Sequence, residues 1–166
     1  VRAVPIRKQI IIVDDGSTDG TAAVVRELAA VPADAHNRVE AIFQPRNAGK
    51  GAAIRTAIPV VSGDLALIQD ADLEYDPDEY PALIQPILDG HADVVFGSRF
   101  LSGPHRVLFF YHMVGNRLLT LLSNLCTDLN LTDMETCYKV FRTDVLRRLN
   151  LASDRFGIEP EITAKV

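Results

Sequence analysis

The stretch QIIIVDDGSTDGTAAVVRELAAV, residues 9–31, decides the fold class. It opens with a short run of β-branched residues that stops at two acids, Asp14 and Asp15, as a buried parallel strand does. GSTDGT then supplies turn residues and helix caps, and the rest has an amphipathic helical pattern that Pro32 ends. The stretch therefore predicts a strand, a turn and a helix in succession.

The same alternation continues along the chain. Further strands are predicted over residues 39–44, 64–70 and 92–100, and further helices over residues 52–61 and 77–90. Pro59 falls late in its helix and should bend or end it. Strands and helices that alternate at this spacing predict an α/β domain with a mainly parallel sheet and helices on both faces.

Composition limits the function classes. The 166 residues suit one domain, and 48% apolar with 23% charged residues is typical of a folded globular protein. The net charge of −5 gives no support to nucleic-acid binding, which needs a basic face. Cys126 and Cys137 are too few and too far apart for a disulfide scaffold, and we expect two reduced core thiols. The sequence contains no run of about 18 apolar residues that could span a membrane.

Polar residues follow several predicted strands directly. They are Asp14 and Asp15, the segment from Asp70 to Glu74, and Ser98 with Arg99. Because the carboxyl ends of parallel strands meet at one edge of a sheet, these residues should converge on one crevice.

The stretch LIQDADLEYDP, residues 67–77, ends in a row of acids. In an extended chain Asp70, Asp72 and Glu74 point to one side, and such an oxygen-only cluster suits Mg²⁺ or Mn²⁺. Phosphate oxygens would complete the coordination of the ion. The residues from Asp76 to Glu79 are explained instead as a helix start.

The stretch NAGKGAA, residues 47–53, leaves two interpretations open. Its glycines could form only a turn, with Lys50 solvated, and the spacing is not that of a P-loop. Small residues that open a helix also allow close approach of an anion, and Lys50 can balance the charge of a diphosphate. We favour the second interpretation.

Five motifs in series resemble glycosyltransferase family 2. They are IIIVDDGSTDGT, NAGKGAA, DADLEYDP with its DxD motif, GSRF and TDMETCYKVF, and together they cover nearly the whole chain. Within the family the pattern is most similar to polyprenol-phosphate (dolichol-phosphate) mannosyltransferases and glucosyltransferases. The resemblance implies a GT-A fold over residues 1–166, a nucleotide-sugar donor, a lipid-phosphate acceptor, and a peripheral place at the cytoplasmic face of a membrane.

The resemblance also assigns roles to individual residues. At the nucleotide-sugar it places Asp14, Asp15, Gly16, Ser17, Asn47, Gly49, Lys50, Gly51, Asp70 and Ala71. At a Mg²⁺ or Mn²⁺ ion it places Asp70, Asp72 and Glu74. In catalysis it places Asp133, Arg99 and Arg117.

One departure from the family concerns the start of the chain. Family members begin with an apolar strand and a turn that helps to bind the nucleotide, whereas this sequence starts at VRAVPIRKQ. We therefore expect a sheet that lacks its first, central strand, and a catalytic domain that is incomplete at both ends.

The segment from Arg99 to Arg117 is basic and aromatic in an otherwise acidic chain. Its cations are Arg99, His105, Arg106, His112 and Arg117, and they surround VLFFY. It can be an ordinary helix entry with an apolar core face. It can also be an acceptor site, in which arginines bind a lipid phosphate and the aromatic residues meet the lipid or the membrane.

The role of Asp133 depends on the acceptor. The resemblance makes Asp133 the candidate base, but a phosphate monoester is already largely ionised near neutral pH, so Asp133 can orient a basic residue instead. We expect inverting transfer of mannose or glucose from a GDP- or UDP-sugar to a polyprenyl phosphate. Transfer to a sugar hydroxyl in polysaccharide synthesis, or a non-catalytic nucleotide-sugar-binding module, remain open. Tyr138 and Lys139 can be plain packing and surface residues.

Overall fold

The computed structural model describes residues 1–72, 74–100 and 110–166. Within these ranges the strands are β1 (Lys8–Asp14), β2 (Asn37–Phe43), β3 (Leu65–Ile68), β4 (Val94–Phe96) and β5 (Lys139–Arg142). The helices are α1 (Thr21–Ala30), α2 (Lys50–Ala57), α3 (Tyr80–Leu88), α4 (Phe110–Thr127), α5 (Thr143–Arg148) and α6 (Ile158–Lys165). The predicted α/β class is confirmed.

The strands form two sheets. β1 and β2 pair in parallel, from Lys8 opposite Asn37 to Asp14 opposite Phe43. The other sheet has the order β3–β5–β4, and β5 runs antiparallel to both neighbours. In the described ranges no strand ladder joins the two sheets, and β1 is paired along one edge only.

Helices cover both faces of the three-stranded sheet. Successive residues of β5 point to opposite sides, so neighbouring side chains of this strand pack against different helices. On one side Val140 packs against Leu83 and Ile87 of α3. On the other side Phe141 packs against Leu146 of α5 and Ile162 of α6. β5 is therefore the buried centre of the domain.

Two local predictions about helix boundaries are confirmed. α2 ends at Ala57, and a 3-10 turn over Ile58–Val60 that contains Pro59 follows it. Before α3, the Asp76 carboxylate accepts a hydrogen bond from the backbone N–H of Asp78 at 3.0 Å and caps the 3-10 turn Pro77–Glu79. The acids from Asp76 to Glu79 therefore start a helix.

Three interpretations of burial that the sequence allows are wrong. Lys139 is fully buried in β5 rather than on the surface, because a carboxylate lies within its reach. Cys126 is exposed on α4, so only Cys137 is a core thiol. α4 has no apolar core face: the one residue that it buries fully is Thr120, and its leucines point outward.

Candidate active site

Asp14 and Asp15, at the end of β1, have different surroundings. Asp14 is buried and accepts a hydrogen bond from the backbone N–H of Ser17 at 3.2 Å. The two Asp15 oxygens accept the N–H groups of Ala48 and Gly49 at 2.8 and 2.7 Å. Asp15 therefore holds the loop that precedes α2, and Asp14 shapes the turn at the end of β1.

This turn and the loop before α2 are in direct contact. Gly16 lies so close to the backbone of Arg46 and Asn47 that an added Cβ would come within 2.6 Å of the Arg46 carbonyl carbon. The structure thus brings together the residues that the sequence assigned to the donor at these two places, Gly16, Ser17, Asn47 and Gly49.

Gly49 and Gly51 make room for another backbone segment. Gly49 has a φ of 101°, and an added Cβ would lie 2.5 Å from the Asp154 carbonyl oxygen. At Gly51 the added Cβ would lie 2.1 Å from the Ser153 carbonyl oxygen. Both glycines are therefore needed for close packing against residues 153–155, whatever else they contact.

Lys50 connects this loop with the end of β3. Its Nζ lies 3.0 Å from Asp70 Oδ2 and 2.8 Å from Glu159 Oε1. Burial alone would lower the pKa of Lys50, but the nearby carboxylates of Glu159 and Asp70 hold it above its usual value. Lys50 is therefore a fixed cation beside the candidate metal ligand Asp70.

A buried carboxylate of α6 bridges two lysines. Glu159 contacts Lys50 through one oxygen and Lys139 through the other. Lys139 also donates to the Thr136 carbonyl oxygen. Burial lowers the pKa of Lys139, and Glu159 opposes that shift. We call Lys50, Glu159 and Lys139 the lysine cluster.

Sequence reasoning missed Glu159 and Lys139. The two residues are 20 positions apart, and neither stands in a motif that specifies the pairing. The available signal was a lysine inside the apolar run CYKVF, since a buried lysine requires an acidic partner.

The row of acids after β3 is bent rather than extended. Asp72 Oδ1 accepts the backbone N–H of Glu74 at 2.9 Å, and the chain bends at Ala71 and Asp72. Glu74 contacts Arg99 Nη1 at 3.2 Å. The premise that the three carboxylates share one side of a strand is therefore wrong.

These residues can still contribute to a metal site. In the part of the chain that the structure describes, no group of three His, Cys, Asp or Glu side chains is placed to hold an ion. Mg²⁺ is usually bound by one or two carboxylates together with phosphate oxygens and waters. The half-exposed Asp70 and the exposed Asp72 fit that kind of site, with Glu74 in a second role as a partner of Arg99.

Arg99 and Asp133 form the most tightly bonded pair at the site. The backbone N–H and Nε of Arg99 donate to Asp133 Oδ2 at 3.1 and 2.7 Å, and Nη2 donates to Oδ1 at 2.9 Å. These hydrogen bonds to Asp133 raise the pKa of Arg99. Asp133 is fully buried, whereas the Arg99 side chain keeps 21% of its exposure. Asn116 of α4 completes the unit, with its amide donating to Asp133 and accepting from Arg99.

Arg117 lies apart from this pair, in a neighbouring pocket. The pocket has a volume of about 320 Å³, and Arg117 lines it with Phe100, Leu121, Asn124 and Thr132. Thr132 directly precedes Asp133, and Phe100 directly follows Arg99. The pocket therefore adjoins the Arg99–Asp133 pair. His105 and Arg106 of the basic segment lie outside the described residues.

A buried polar contact links the end of β3 to the strand that follows Asp133. The Cys137 thiol accepts the backbone N–H of Asp70 at 2.9 Å, and the Cys137 N–H donates to the Tyr75 hydroxyl at 2.9 Å. Burial raises the pKa of both Cys137 and Tyr75 to about 12, so both remain protonated near neutral pH. These contacts fix the position of Asp70.

Polar groups at strand ends and a fixed cation beside two carboxylates are typical of enzyme sites in α/β folds. The model of the glycosyl transferase family 2 matches residues 3–149 of this chain. The chain belongs to that family.

Individual relatives show the same relationship. The chain is 31% identical over 152 residues to the undecaprenyl-phosphate 4-deoxy-4-formamido-L-arabinose transferase of Edwardsiella ictaluri, an alignment of 92% of this chain and 44% of that protein. It is 30% identical over 148 residues to the polyprenol monophosphomannose synthase of Mycolicibacterium smegmatis, covering 87% and 54%. It is 30% identical over 157 residues to glycosyltransferase AglJ of Haloferax volcanii, covering 94% and 48%. The chain spans about half the length of the curated relatives that it matches.

Proposed function

We propose that this protein transfers a hexose, mannose or glucose, from a GDP- or UDP-sugar to a polyprenyl phosphate. The observation that carries the proposal is the Arg99 guanidinium, which Asp133 holds beside the pocket of Arg117. Two arginines next to a pocket that Phe100, Leu121 and Leu131 line in part suit a phosphate with a hydrocarbon chain. The name of the Edwardsiella relative refers to undecaprenyl phosphate and that of the Mycolicibacterium relative refers to a polyprenol, which agrees with that acceptor.

The donor side would bind the nucleotide-sugar between β1 and β3. Asp14 would contact the base or ribose, and the loop of Asn47 to Gly51 would face the diphosphate. Lys50 balances negative charge at Asp70, where Asp70 and Asp72 would hold Mg²⁺ or Mn²⁺. When bound, that ion would stabilise the charge that grows on the departing diphosphate.

Asp133 would position the acceptor rather than remove a proton. Both of its oxygens accept hydrogen bonds from Arg99, so they are already engaged by a cation. A phosphate monoester has a second pKa of about 6 and needs little deprotonation at neutral pH. Its oxygen would attack the anomeric carbon on the face opposite the diphosphate, and the product would have inverted configuration.

The same proposal gives the protein a peripheral location at the cytoplasmic face of a membrane, where a nucleotide-sugar and a lipid phosphate can meet. In the described ranges, no helix is long and apolar enough to cross a bilayer.

The direct test is a transfer assay with the full-length protein. Labelled GDP- and UDP-hexoses are offered with a polyprenyl phosphate in detergent, and with oligosaccharide acceptors in parallel. We expect lipid-linked product only with the phosphate acceptor, with inverted anomeric configuration by NMR. Product only with a sugar hydroxyl would move the protein to polysaccharide synthesis, and sugar binding without turnover would make it a non-catalytic module.

A second experiment tests the metal. Asp70→Asn removes a charge that an amide cannot replace, so we expect activity at limiting Mn²⁺ to fall by about 10²-fold or more. The variant weakens the ion pair of Lys50 with Asp70, but Lys50 keeps its contact with Glu159, so the unfolding free energy should fall by less than about 1 kcal/mol. Asp78→Asn, in the exposed helix start, is the matched control and should retain activity. Unchanged turnover of Asp70→Asn at limiting Mn²⁺ would contradict the assignment.

A further inference from the structure

Glu159 is a buried carboxylate that the proposed reaction does not use. Its side chain is 4% exposed, and its two oxygens contact two different lysines, Lys50 and the fully buried Lys139. A buried ion pair is often no more stabilising than an apolar pair of the same size. The presence of these charges beside the crevice is therefore better explained by a role at the site.

Lys50 is fixed at its main chain and at its side chain by one segment, residues 153–159. On either side of Lys50, Gly49 and Gly51 pack closely against the backbone of that segment. Glu159 then contacts the Lys50 ammonium at 2.8 Å from the first turn of α6, where a negative side chain is favoured by the helix dipole. The segment thus determines where the charge of Lys50 lies.

The Lys50 ammonium lies between two carboxylates that differ in exposure. Asp70 Oδ2, at 3.0 Å, belongs to a side chain that is 36% exposed, whereas Glu159 is nearly buried. Among the described residues these two are its hydrogen-bonding partners, and an ammonium has three N–H donors. The Lys50 side chain is itself 21% exposed. One donor therefore remains for an oxygen of a diphosphate that enters the crevice.

The two carboxylates differ in what they can do once a donor binds. Asp70 is a candidate ligand of Mg²⁺ or Mn²⁺, and a cation on Asp70 would repel the ammonium of Lys50. Glu159 contacts Lys50 through an oxygen of its own, inside the protein, so this contact does not depend on Asp70. Glu159 can therefore keep Lys50 at the site while Asp70 serves another ligand.

Lys139 completes the arrangement from the inner side. It is fully buried in β5 and donates to Glu159 and to the Thr136 carbonyl oxygen, out of reach of any substrate. Its charge compensates that of Glu159 when Lys50 shares its own charge with a diphosphate. The three members of the lysine cluster thus differ in position: Lys50 reaches the crevice, Glu159 holds it, and Lys139 balances Glu159.

We propose that Glu159 is a positioning residue for the donor diphosphate, which it serves by holding the Lys50 ammonium toward a diphosphate oxygen while Lys139 balances its charge. This inference rests on the proposed function, because it places the nucleotide-sugar at Lys50. Glu159 itself touches no substrate, so its effect on binding passes through Lys50.

The test removes Glu159 without leaving a buried lysine unpaired. The full-length protein carries Lys139→Met together with Glu159→Met, which replaces both buried charges by apolar side chains of similar length and should leave the melting temperature nearly unchanged. Calorimetric titration with GDP and with UDP, in Mn²⁺ and without an acceptor, measures the Kd. The matched control is Asp144→Asn with Arg148→Met, which removes an exposed ion pair and likewise keeps the net charge.

We expect the methionine pair to raise the Kd of the nucleoside diphosphate by about three- to tenfold, because Lys50 must then be ordered when the ligand binds. Lys50→Met alone should raise this Kd by about tenfold or more, since a charge-assisted contact is lost. In the Lys50→Met background the methionine pair should add no further loss. The control pair should bind as the wild type does.

If the methionine pair lowers the melting temperature, Lys139→Met with Glu159→Gln is measured in its place. The amide keeps a neutral oxygen for Lys50, so we expect a smaller rise in Kd, again absent in the Lys50→Met background. In either pair, a Kd equal to that of the wild type would reject this inference alone. An undiminished loss in the Lys50→Met background would reject it as well, because Glu159 would then act on the fold. Failure of the wild type to bind GDP or UDP would contradict the proposed function, and the inference with it.

Discussion

The site contains two charge clusters that differ in their contact with solvent. In the lysine cluster Glu159 satisfies Lys50 and Lys139 on either side, and the Glu159 and Lys139 side chains are nearly or fully buried. In the other cluster buried Asp133 holds Arg99, whose side chain remains 21% exposed. The charges of the lysine cluster are paired with each other inside the protein, whereas Arg99 in the second cluster is accessible to a molecule that enters the crevice. We therefore expect changes in the lysine cluster to affect stability most, and changes at Arg99 and Asp133 to affect activity most.

The largest effect on stability is expected from Glu159→Gln. Removal of the shared carboxylate leaves Lys139 buried without an acidic partner, which costs about 3–5 kcal/mol of unfolding free energy. Equilibrium urea unfolding measures the loss. Asp144→Asn, which breaks an exposed pair with Arg148, is the matched control and should cost less than about 1 kcal/mol. Similar losses in the two variants would show that the buried carboxylate of Glu159 supports the fold no more than an exposed ion pair does.

Asp133→Asn should have a smaller effect on stability and a larger one on activity. Arg99 keeps its contact with Glu74 and with solvent, so we expect a loss of about 1–3 kcal/mol in unfolding free energy. Activity should fall because Arg99 is no longer held in place.

The pH dependence then identifies the acceptor chemistry. With a phosphate acceptor, the residual activity of Asp133→Asn should vary little above about pH 7, where the acceptor is already ionised. With a hydroxyl acceptor, loss of the base should cost about 10²–10⁴-fold. A wild-type rate that rises with pH only for hydroxyl acceptors would contradict the assignment of Asp133 as a positioning residue.

Arg117→Ala should affect the acceptor selectively. A charge-assisted contact to phosphate is worth about 1.5–3 kcal/mol, so the KM for polyprenyl phosphate should rise about tenfold or more. The KM for the nucleotide-sugar should change little, since Arg117 lies in the pocket rather than at Asp70. Arg147→Ala, an arginine on α5, is the control. Equal changes in both KM values would instead indicate a donor role or misfolding.

The smallest effect concerns the segment that supports the lysine cluster. Glu161 accepts hydrogen bonds from the N–H groups of Ala152 and Ser153 and from Lys165, and the Lys165 contact contributes most to lowering its pKa to about 2. Because the folded pKa lies below the ordinary value of 4.5, this contribution to stability is present above about pH 4.5. It is lost as the pH falls through about 2.

Glu161→Gln should therefore show a shallower decline of stability between about pH 4.5 and 2 than the wild type. Thermal unfolding at a series of pH values measures the slope. Glu27→Gln, on α1, is the control and should keep the wild-type slope. Identical slopes for wild type and Glu161→Gln would show that the hydrogen bonds from Lys165 and from residues 152 and 153 do not shift its titration.

The sequence predicted those elements whose signals are local. β1 to β4 are β-branched or apolar runs bounded by turn residues, and Pro59 ends α2 as its geometry requires. β5 was missed because Lys139 interrupts its apolar pattern, and its burial depends on Glu159 in another element. Asp133 was found through the family motif, but its bonds to Arg99 required the fold.

The orientation of α4 could not be predicted for a related reason. Its leucines have the pattern of an apolar helix face, and that pattern gives the width of the face but not the direction in which it points. The direction is set by hydrogen bonds of Thr120 and Asn124 to residues that follow the helix. Likewise the bend after Asp70 depends on a side-chain contact between Asp72 and the Glu74 backbone, which a pattern of alternating acids does not reveal.

The separation of the two sheets has a consequence for the motions of the protein. The unit of β1, α1 and β2 shares no strand ladder with β3, β5 and β4 in the described ranges. Its links to the rest include the Gln9 contacts with Val60 and Ser62 and the hydrogen bonds of Asp15 to the loop before α2. Such a unit can open as a whole without unfolding its neighbour, so its amide hydrogens should exchange with solvent earlier than those of β5. The end of the crevice that is proposed to bind the nucleotide would then be the part of the site that opens and closes, while the cluster around Arg99 stays in place.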